Sequence, residues 1–350
     1  MTNLDLSLQV FEFLKASQVK SVVVCAGARN APLIMALQKQ NFKIYSYFEE
    51  RSAAFFALGL IRSTGNPVAV ITTSGTAVAE LLPAAIEATY QSLPLILITA
   101  DRPKNYRRTG APQAIEQVGI FSSYVESVYD LDVDSRDFNF RWSVEKPIQI
   151  NVCFDEPLID APSKHQNKKS SLIKVNYVKP KPIGQLKAKD PLVIAGSLSI
   201  AQVSDVVEFI LKNQLTVYAE STSQLRSVIE LKPYLIQSTD YLVNHAFTGH
   251  IFNSVIRIGG VPTLRFWRDL ENDFKDIPVK HFSDSKFSGL ARASELYSLA
   301  NLKDVIVDQA KSNAQLLTLD RNLNPKKADL FKKYPLSEPA FVARLGQIVA

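Results

Sequence analysis

The sequence predicts an α/β protein with two doubly wound parallel-sheet domains, and three observations support this prediction. Short apolar runs alternate with helical patterns through the first 160 residues. These runs are solidly apolar rather than alternating, which is typical of strands in a sheet that is covered on both faces. A second series of runs and helical patterns follows a polar stretch. Repeated β-α-β order implies parallel strands joined by right-handed crossovers.

The elements of both series follow from the apolar runs and from the helical spacing between them. The N-terminus reads as an amphipathic helix that places four apolar side chains on one face: Leu6, Val10, Phe11 and Leu14. Strands are predicted at Ser21–Cys25, Lys43–Ser46, Val68–Thr72, Leu95–Thr99, Ile148–Val152, Leu192–Ala195, Leu215–Ala219, Phe252–Ile258 and Val279–Phe282. Helices are predicted at Asn30–Gln38, Arg51–Arg62, Thr76–Gln91, Ser199–Lys212, Leu264–Phe274 and Leu336–Ala350.

Length and composition predict the domain organisation. A chain of 350 residues is too long for one ordinary core. Asp160–Gly184 is rich in Lys, Ser, Pro and Asn, a composition typical of a linker. We therefore predict a first domain over residues 1–165, a linker over 166–184 and a Rossmann-like domain over 185–335. Residues 336–350 are predicted to start the connection to a further domain.

Composition also argues against several classes of protein. No run of about 18 apolar residues occurs, so no membrane span is expected. Cys25 and Cys153 are the only cysteines, and both lie in apolar segments, which fits a reducing cytoplasm. The histidines show no metal-ligand spacing with either cysteine, so no metal ligand is predicted. The net charge is +6, but the basic runs lack interleaved aromatics, so no nucleic-acid partner is expected.

Candidate site residues follow the strands of the first domain, because ligands of open α/β sheets bind beyond the carboxyl ends of the strands. The strand ends are followed by Arg29 in a small-residue loop, by Glu49 and Glu50, by Thr73 and Ser74 in a compact turn, by Arg102, and by Gln113 slightly further on. The basic side chains Arg29, Arg102, Arg107 and Arg108 are suitably located to bind a small anion.

Each of these features also has a purely structural explanation. The two glutamates are equally suited to complement a helix dipole. The Thr73–Thr76 turn matches an N-cap. Asp101-Arg102-Pro103 matches a turn held by an ion pair. The order and spacing of the features are more specific than any one of them.

Four segments together resemble one family of thiamine-diphosphate enzymes. These are VVVCAGARNAPLIMAL, YFEERSAAFFALGLIRSTGNPVAVITTSGTAVAELLPAAIEA, LILITADRP and GAPQAIEQVGIF. They resemble the N-terminal pyrimidine-binding domain of the 2-succinyl-5-enolpyruvyl-6-hydroxy-3-cyclohexene-1-carboxylate synthases of menaquinone biosynthesis. The resemblance is dense over residues 20–125 and thin but collinear to about residue 345. Gly259–Trp267 resembles the central-domain loop that carries a basic substrate-binding residue, a position that Arg265 would occupy.

The resemblance implies a reaction and residue roles. The family decarboxylates 2-oxoglutarate and adds the resulting carbanion to isochorismate, with thiamine diphosphate and Mg²⁺ or Mn²⁺. Glu50 matches the glutamate that hydrogen-bonds the aminopyrimidine ring and favours the tautomer that deprotonates the thiazolium carbon. Thr73 and Ser74 fall where the strand end would meet that ring. The resemblance assigns substrate binding to Arg29, Arg102, Gln113 and Arg265.

Two departures from the family pattern shape the remaining expectations. The loop that usually reads P-G-S-R is Ala26-Gly27-Ala28-Arg29 here, so one hydroxyl donor is missing. No G-D-G…N-N metal motif occurs, so a separate diphosphate-binding domain would hold the metal. The chain is then truncated, split from its second half, or degenerate. A homo-oligomer, or a hetero-oligomer with that domain, is expected; the alternatives are a non-catalytic binding subunit and another thiamine-diphosphate 2-oxoacid decarboxylase.

Overall fold

The computed structural model describes residues 1–161, 171–174, 182–237, 241–249, 251–285, 287–308, 310 and 313–349. The chain divides into two compact units, Met1–Val178 (unit 1) and Lys179–Ala350 (unit 2). Most of the predicted linker over 166–184 lies outside the described residues, although Ser171–Lys174 within it forms a strand. The predicted domain bounds stay a prediction.

Unit 1 is an alternating α/β fold. Its described helices are α1 (Asn3–Ala16), α2 (Ala31–Leu37), α3 (Glu50–Thr64), α4 (Thr76–Ala79) and α5 (Leu82–Tyr90). Its described strands are β1 (Ser21–Cys25), β2 (Lys43–Tyr47), β3 (Val68–Thr72), β4 (Leu95–Asp101), β5 (Val128–Leu131), β6 (Asn139–Trp142), β7 (Ile148–Cys153) and β8 (Ser171–Lys174). The five strands predicted from the apolar runs of this region are all present.

The main sheet of unit 1 confirms the predicted doubly wound parallel architecture. Its six strands lie in the order β2-β1-β3-β4-β7-β5, and every neighbouring pair is parallel. The chain passes from β1 to β2 on one side and then returns to place β3 on the other. The strand order therefore reverses between β1 and β3, and a crevice forms at such a point beyond the carboxyl ends.

Each face of this sheet is covered by helices, which explains the solidly apolar strands. On one face α1 and α2 pack on side chains such as Val22 and Ile98. On the other face α3 and α5 pack on Val23 and Leu97. The four apolar side chains predicted on the inner face of α1 are all completely buried. Burial on both faces fixes the sheet and so the position of the loops at its carboxyl edge.

The helix predicted over Thr76–Gln91 is divided in two. The structure has α4 and α5 with a break at Glu80 and Leu81. Pro83 lies in the first turn of α5. Proline lacks the N–H that would bond to a carbonyl in the preceding turn, and its ring clashes there, so it favours a helix start and kinks or breaks a helix interior.

Unit 2 is also an alternating α/β fold. Its described strands are β9 (Gln185–Lys187), β10 (Pro191–Ala195), β11 (Val217–Ala219), β12 (Ser254–Ile258), β13 (Val279–Phe282), β14 (Glu295–Tyr297) and β15 (Ile306–Asp308). Its described helices are α6 (Ile200–Asn213), α7 (Tyr241–Thr248), α8 (Arg265–Asn272), α9 (Ala314–Lys333) and α10 (Glu338–Val349). Its five-stranded sheet has the order β11-β10-β12-β13-β14 and is parallel, as predicted.

The last helix, α10, presents its apolar residues outward. The most exposed of these side chains are Phe341, at 65% exposure, and Ile348, at 81%. Leu336, just before the helix, is 97% exposed. The predicted amphipathic helix is thus present, but its apolar side is uncovered in this chain. The side chain of Val349 lies outside the described residues.

The buried histidine of unit 2 gives a pH prediction. His281 is completely buried on β13, and burial, together with the charges of Arg257 and Arg292, lowers its pKa from 6.5 to about 3. Below pH 6.5 the unfolded chain takes up a proton that the folded chain does not accept until about pH 3. Stability therefore falls through this window as the pH falls, by up to about 1.4 kcal/mol per pH unit from this group.

Urea denaturation between pH 7 and 5 tests this pH dependence of stability. The probe is the fluorescence of Trp267 in a Trp142→Phe background, because the centre of the Trp267 ring lies 5.9 Å from that of the His281 ring. In His281→Phe, the fall in unfolding free energy with pH should be shallower than in the parent. His245→Gln, a change at an exposed position on α7, is the control and should keep the parent slope. Parallel curves for His281→Phe and the parent would refute the prediction.

Among the described residues, no helix combines the length and apolarity that a membrane crossing requires.

Candidate functional site at the carboxyl edge of the unit 1 sheet

Three loops converge where the strand order of unit 1 reverses. A methyl group added at Gly27, in the loop after β1, would lie 2.6 Å from the Cβ atom of Thr73, after β3. Gly75 has φ +83°, and a methyl group there would lie 3.2 Å from the Cα atom of Gln113. At Gly27 a side chain would force the two loops apart, and at Gly75 the positive φ together with the close contact favours glycine. The structure thus brings together three of the segments predicted from sequence.

The loop after β1 is fixed by one asparagine. The Asn30 side chain donates to the carbonyl of Cys25 at 2.8 Å and accepts from the N–H of Gly27 at 2.9 Å. Arg29 is nearly buried, and its guanidinium lies 3.1 Å from the Glu156 carboxylate and 3.4 Å from the Phe154 carbonyl oxygen. Since the Glu156 side chain is 66% exposed, this ion pair is open to exchange with another anion.

The two glutamates at the start of α3 have different environments. Glu49 is the N-cap: its carboxylate accepts from the N–H groups of Arg51, at 3.1 Å, and Ser52, at 2.7 Å. The hydroxyl and N–H of Ser52 lower the pKa of Glu49. Glu50 is half-buried at the first helical position, and among the described residues no hydrogen bond to its carboxylate is found. Helix capping therefore engages the Glu49 carboxylate, whereas the Glu50 carboxylate is available to hydrogen-bond a ligand.

Both carboxylates lie close to the end of β1. Cys25 is buried there, and burial raises the pKa of its thiol to about 12, with the charges of Glu50 and Glu49 adding to the rise. The strand register supports this placement, because Cys25 lies opposite Tyr47, three residues before Glu50. The Glu50 carboxylate is thus part of the same edge as the Gly27 loop.

The turn after β3 is held by a buried glutamine that sequence reasoning missed. Gln117 accepts from the N–H of Gly75 at 3.0 Å and donates to the Ala100 carbonyl at 2.9 Å. Thr73 in this turn is half-exposed, whereas Ser74 is buried. Gln117 thereby links the turn to the end of β4.

Arg102 closes the loop that follows β4. Its Nε donates to the Pro112 carbonyl at 2.8 Å, and its guanidinium lies 5.7 Å from the centre of the Tyr106 ring. Gln113, the next residue, is exposed with φ +55°. The hydrogen bond from Arg102 to Pro112 therefore places Arg102 and Gln113 near each other.

Arg107 connects this loop to the sheet through ion pairs with Asp130 and Asp101. It donates twice to Asp130, at 2.7 and 2.9 Å, and once to buried Asp101 at 3.3 Å. Burial tends to raise the pKa of Asp130, but hydrogen bonds from Arg107 and Asn151 lower it overall. The pKa of Asp101 is raised, because its burial outweighs the same partners. The predicted anion-binding role thus does not fit the present contacts of Arg107.

Asn151, in the middle of β7, connects these groups. Its amide nitrogen donates to Asp101 at 3.1 Å and to Asp130 at 2.9 Å. Its oxygen accepts from Thr99 at 2.9 Å and from Gln117 at 2.8 Å. The signal for this network in the sequence is the pair of polar residues at alternate positions of the otherwise apolar strand β7, Gln149 and Asn151.

Arg265 belongs to unit 2, where it is the first residue of α8. Its side chain is 80% exposed, and its guanidinium lies 3.8 Å from the carboxylate of Asp269. The described residues contain no group of three or more His, Cys, Asp or Glu side chains arranged to hold a metal ion.

Comparison with known proteins defines first the class and then the family. Residues 4–120 match the family described as "Thiamine pyrophosphate enzyme, N-terminal TPP binding domain". The chain is 43% identical over 358 residues to the 2-succinyl-5-enolpyruvyl-6-hydroxy-3-cyclohexene-1-carboxylate synthase of Bdellovibrio bacteriovorus, covering 99% of this chain and 68% of that protein. It is 39% identical to the protein of the same name from Akkermansia muciniphila, covering 78% of this chain and 52% of the relative.

A third relative with this name, from Staphylococcus epidermidis, is 35% identical over 73% of this chain and 50% of its own length. The chain therefore belongs to the 2-succinyl-5-enolpyruvyl-6-hydroxy-3-cyclohexene-1-carboxylate synthase family of thiamine-diphosphate enzymes. It spans between half and about two thirds of the length of these three relatives.

Proposed function

We propose that this chain is the pyrimidine-binding part of a thiamine-diphosphate-dependent transferase that decarboxylates 2-oxoglutarate and adds the product carbanion to isochorismate, in menaquinone biosynthesis. The observation that carries the proposal is the difference between the two glutamates at the start of α3. Glu49 is used for capping, whereas the Glu50 carboxylate has no hydrogen-bond partner among the described residues. A carboxyl group at a crevice with free hydrogen-bonding capacity is suited to a polar ring.

The cofactor-binding role rests on three residues. When bound, thiamine diphosphate would supply the nucleophilic carbon and the electron sink that decarboxylation requires. Glu50 hydrogen-bonds a nitrogen of the aminopyrimidine ring and exchanges a proton with it. Thr73 and Ser74 line the ring from the neighbouring turn, whose position is held by Gln117.

The substrate-binding role rests on cationic and amide side chains. Arg29 and Arg102 bind substrate carboxylates, because a planar fork of N–H donors matches two carboxylate oxygens. Arg29 exchanges its exposed partner Glu156 for the substrate. Gln113, which directly follows the Pro112 carbonyl bound by Arg102, donates to a substrate hydroxyl or carboxylate. Arg265 of unit 2 is the fourth substrate-binding residue of this proposal.

The diphosphate and its Mg²⁺ or Mn²⁺ are held by a further protein part. The residues described here fit the ring end of the cofactor, while a cluster of metal-ligating side chains is not found among them. The uncovered apolar residues of α10 support a protein partner at this helix.

An assembly of subunits completes the site at Glu50 as well. Phe48, directly before the two glutamates, is 104% exposed, and Phe55 on the outer face of α3 is 44% exposed. Large aromatics in such positions are typical of protein interfaces. A homo-oligomer, or a hetero-oligomer with a separate diphosphate-binding domain, would cover them. The two buried free cysteines agree with a cytoplasmic location.

A reconstitution assay tests this function. The chain is mixed with the part of the Bdellovibrio bacteriovorus relative that it does not match, with thiamine diphosphate and Mg²⁺, and isochorismate consumption with 2-oxoglutarate is measured. The relative divided at the same place is the control, because it shows whether the two halves can assemble in trans. Activity in both mixtures supports the proposal; activity only in the control mixture favours a non-catalytic binding subunit. Turnover of pyruvate-like acids without isochorismate would indicate another 2-oxoacid decarboxylase.

Calorimetric titration of the chain alone with thiamine diphosphate and Mg²⁺ tests whether the cofactor site is divided between this chain and another protein part. We expect no tight binding, because the metal and diphosphate ligands belong to the other part. Tight, magnesium-dependent binding by the isolated chain would contradict that division.

A further inference from the structure

A cavity of about 350 Å³ opens in unit 2 between the segment that follows β11 and helix α9. The residues that line it are Arg226, Lys232, Leu235, Gln237, Asn324 and Lys327. This volume is at the lower end of the range of small-molecule sites in proteins. The function proposed above makes no use of it.

The wall formed by the segment after β11 is fixed by backbone contacts. Leu235 pairs with Val217 of β11 in a parallel bridge, and the N–H of Ile236 donates to the Val217 carbonyl at 2.8 Å. Arg226 is held at its Nε by the Ala219 carbonyl at 2.6 Å, with its guanidinium 5.5 Å from the centre of the Tyr218 ring. Arg226 is therefore oriented by a carbonyl and an aromatic ring, and none of its contacts with the described residues is to a carboxylate.

The opposite wall, α9, is anchored to the core of unit 2. Leu316 of α9 is completely buried, and Leu323 packs against the same apolar cluster. Asp320, one turn before Asn324, is buried and accepts from the backbone N–H of Gln237 at 2.9 Å. The two walls are thus joined by a direct hydrogen bond, and the cavity between them is part of the fold.

The chemistry of the lining is cationic. Three of its six side chains carry a positive charge, two are amides, and no carboxylate is among the described residues that line it. We propose that this cavity binds a small molecule with two or more negative charges, as in phosphorylated or polycarboxylic metabolites. Arg226 supplies a planar fork for phosphate or carboxylate oxygens, Lys232 supplies a compact charge, and the amides of Gln237 and Asn324 donate to the remaining oxygens.

Calorimetric titration of the full chain with inorganic pyrophosphate and with citrate, at constant ionic strength set with sodium chloride, tests the proposal. We expect saturable binding with one site per chain for at least one of the two. The anion that binds more tightly identifies phosphate or carboxylate as the recognised group. Arg226→Gln/Lys232→Gln should weaken that binding by at least about tenfold, since two charge-assisted contacts are lost.

The matched control is Lys189→Gln/Arg268→Gln, which removes one lysine and one arginine charge from exposed positions of unit 2 that do not line the cavity. It should bind the anion as the parent does. Because Arg226 and Lys232 are both exposed, the cavity variant should keep the circular dichroism of the parent. Absence of saturable binding for both anions, or equal weakening in the two double variants, would overturn the proposal.

Discussion

Glu50→Gln is expected to lower the turnover of the reconstituted enzyme by about 10²–10⁴-fold, which is the usual contribution of a positioned acid or base. Glutamine keeps the size of the side chain and its hydrogen-bonding capacity but cannot exchange a proton with the ring nitrogen. The measurement is isochorismate consumption with 2-oxoglutarate under saturating cofactor. The Michaelis constants for both substrates should change much less than turnover, because Glu50 contacts the cofactor.

Glu49→Gln is the matched control, since it makes the same chemical change one residue earlier. Glu49 caps α3 through the N–H groups of Arg51 and Ser52, so its replacement should weaken the helix start and slightly lower the thermal midpoint. Turnover should stay near that of the parent. If Glu49→Gln lost turnover as severely as Glu50→Gln, or if Glu50→Gln retained it, the assignment of the two glutamates would be wrong.

Asn151→Leu is expected to destabilise unit 1 by about 3–5 kcal/mol. The substitution leaves Asp101 and Asp130 without their shared amide donor and leaves Gln117 without its acceptor on β7. Two carboxylates that are buried or partly buried then lose part of what compensates for their desolvation. Urea denaturation followed by Trp142 fluorescence, in a Trp267→Phe background, reports on unit 1.

Ile150→Val is the control for Asn151→Leu, because it removes one buried methylene from the same strand. It should cost only about 0.5–1.5 kcal/mol. The polar network also holds the Gly75 turn through Gln117, so Asn151→Leu should weaken cofactor binding in the reconstituted enzyme as well. A cost for Asn151→Leu no greater than that for Ile150→Val would show that the network contributes little to stability.

The parts of the fold that the sequence predicted well are the strands buried on both faces. Ser21–Cys25 and Val68–Thr72 have the predicted bounds. A continuous apolar run bounded by polar residues leaves little freedom in where such a strand begins and ends. The doubly wound arrangement then follows from alternation and crossover handedness.

Three half-exposed or polar elements, β5, β6 and α9, were not predicted, for physical reasons. β5 and β6 carry several partly or fully exposed side chains, so their apolar signal is diluted. The 20-residue helix α9 contains Pro325 and mostly polar residues, which obscure its period.

The candidate site was predictable as a set of strand ends, but the hydrogen-bond and ion-pair partners of each side chain were not. Sequence order identified Arg29, Glu50, Thr73 and Arg102 as neighbours of one sheet edge. The resemblance selected Glu50, but only the coordinates show that Glu49 caps the helix, because both glutamates lie at the start of the same helix and have the same chemistry. The role of Arg107 likewise depends on Asp130, a partner 23 residues away.

The most direct test of the central claim is a crystal structure of the reconstituted assembly with thiamine diphosphate and Mg²⁺. The distance to measure joins the Glu50 carboxyl oxygens to the nearest ring nitrogen of the aminopyrimidine. We expect it to be about 2.6–3.2 Å, a hydrogen-bond distance, with the Gly27 loop and the Thr73–Gly75 turn beside the ring. A ring bound elsewhere, or one contacted by a different acid while Glu50 faces solvent, would contradict the account.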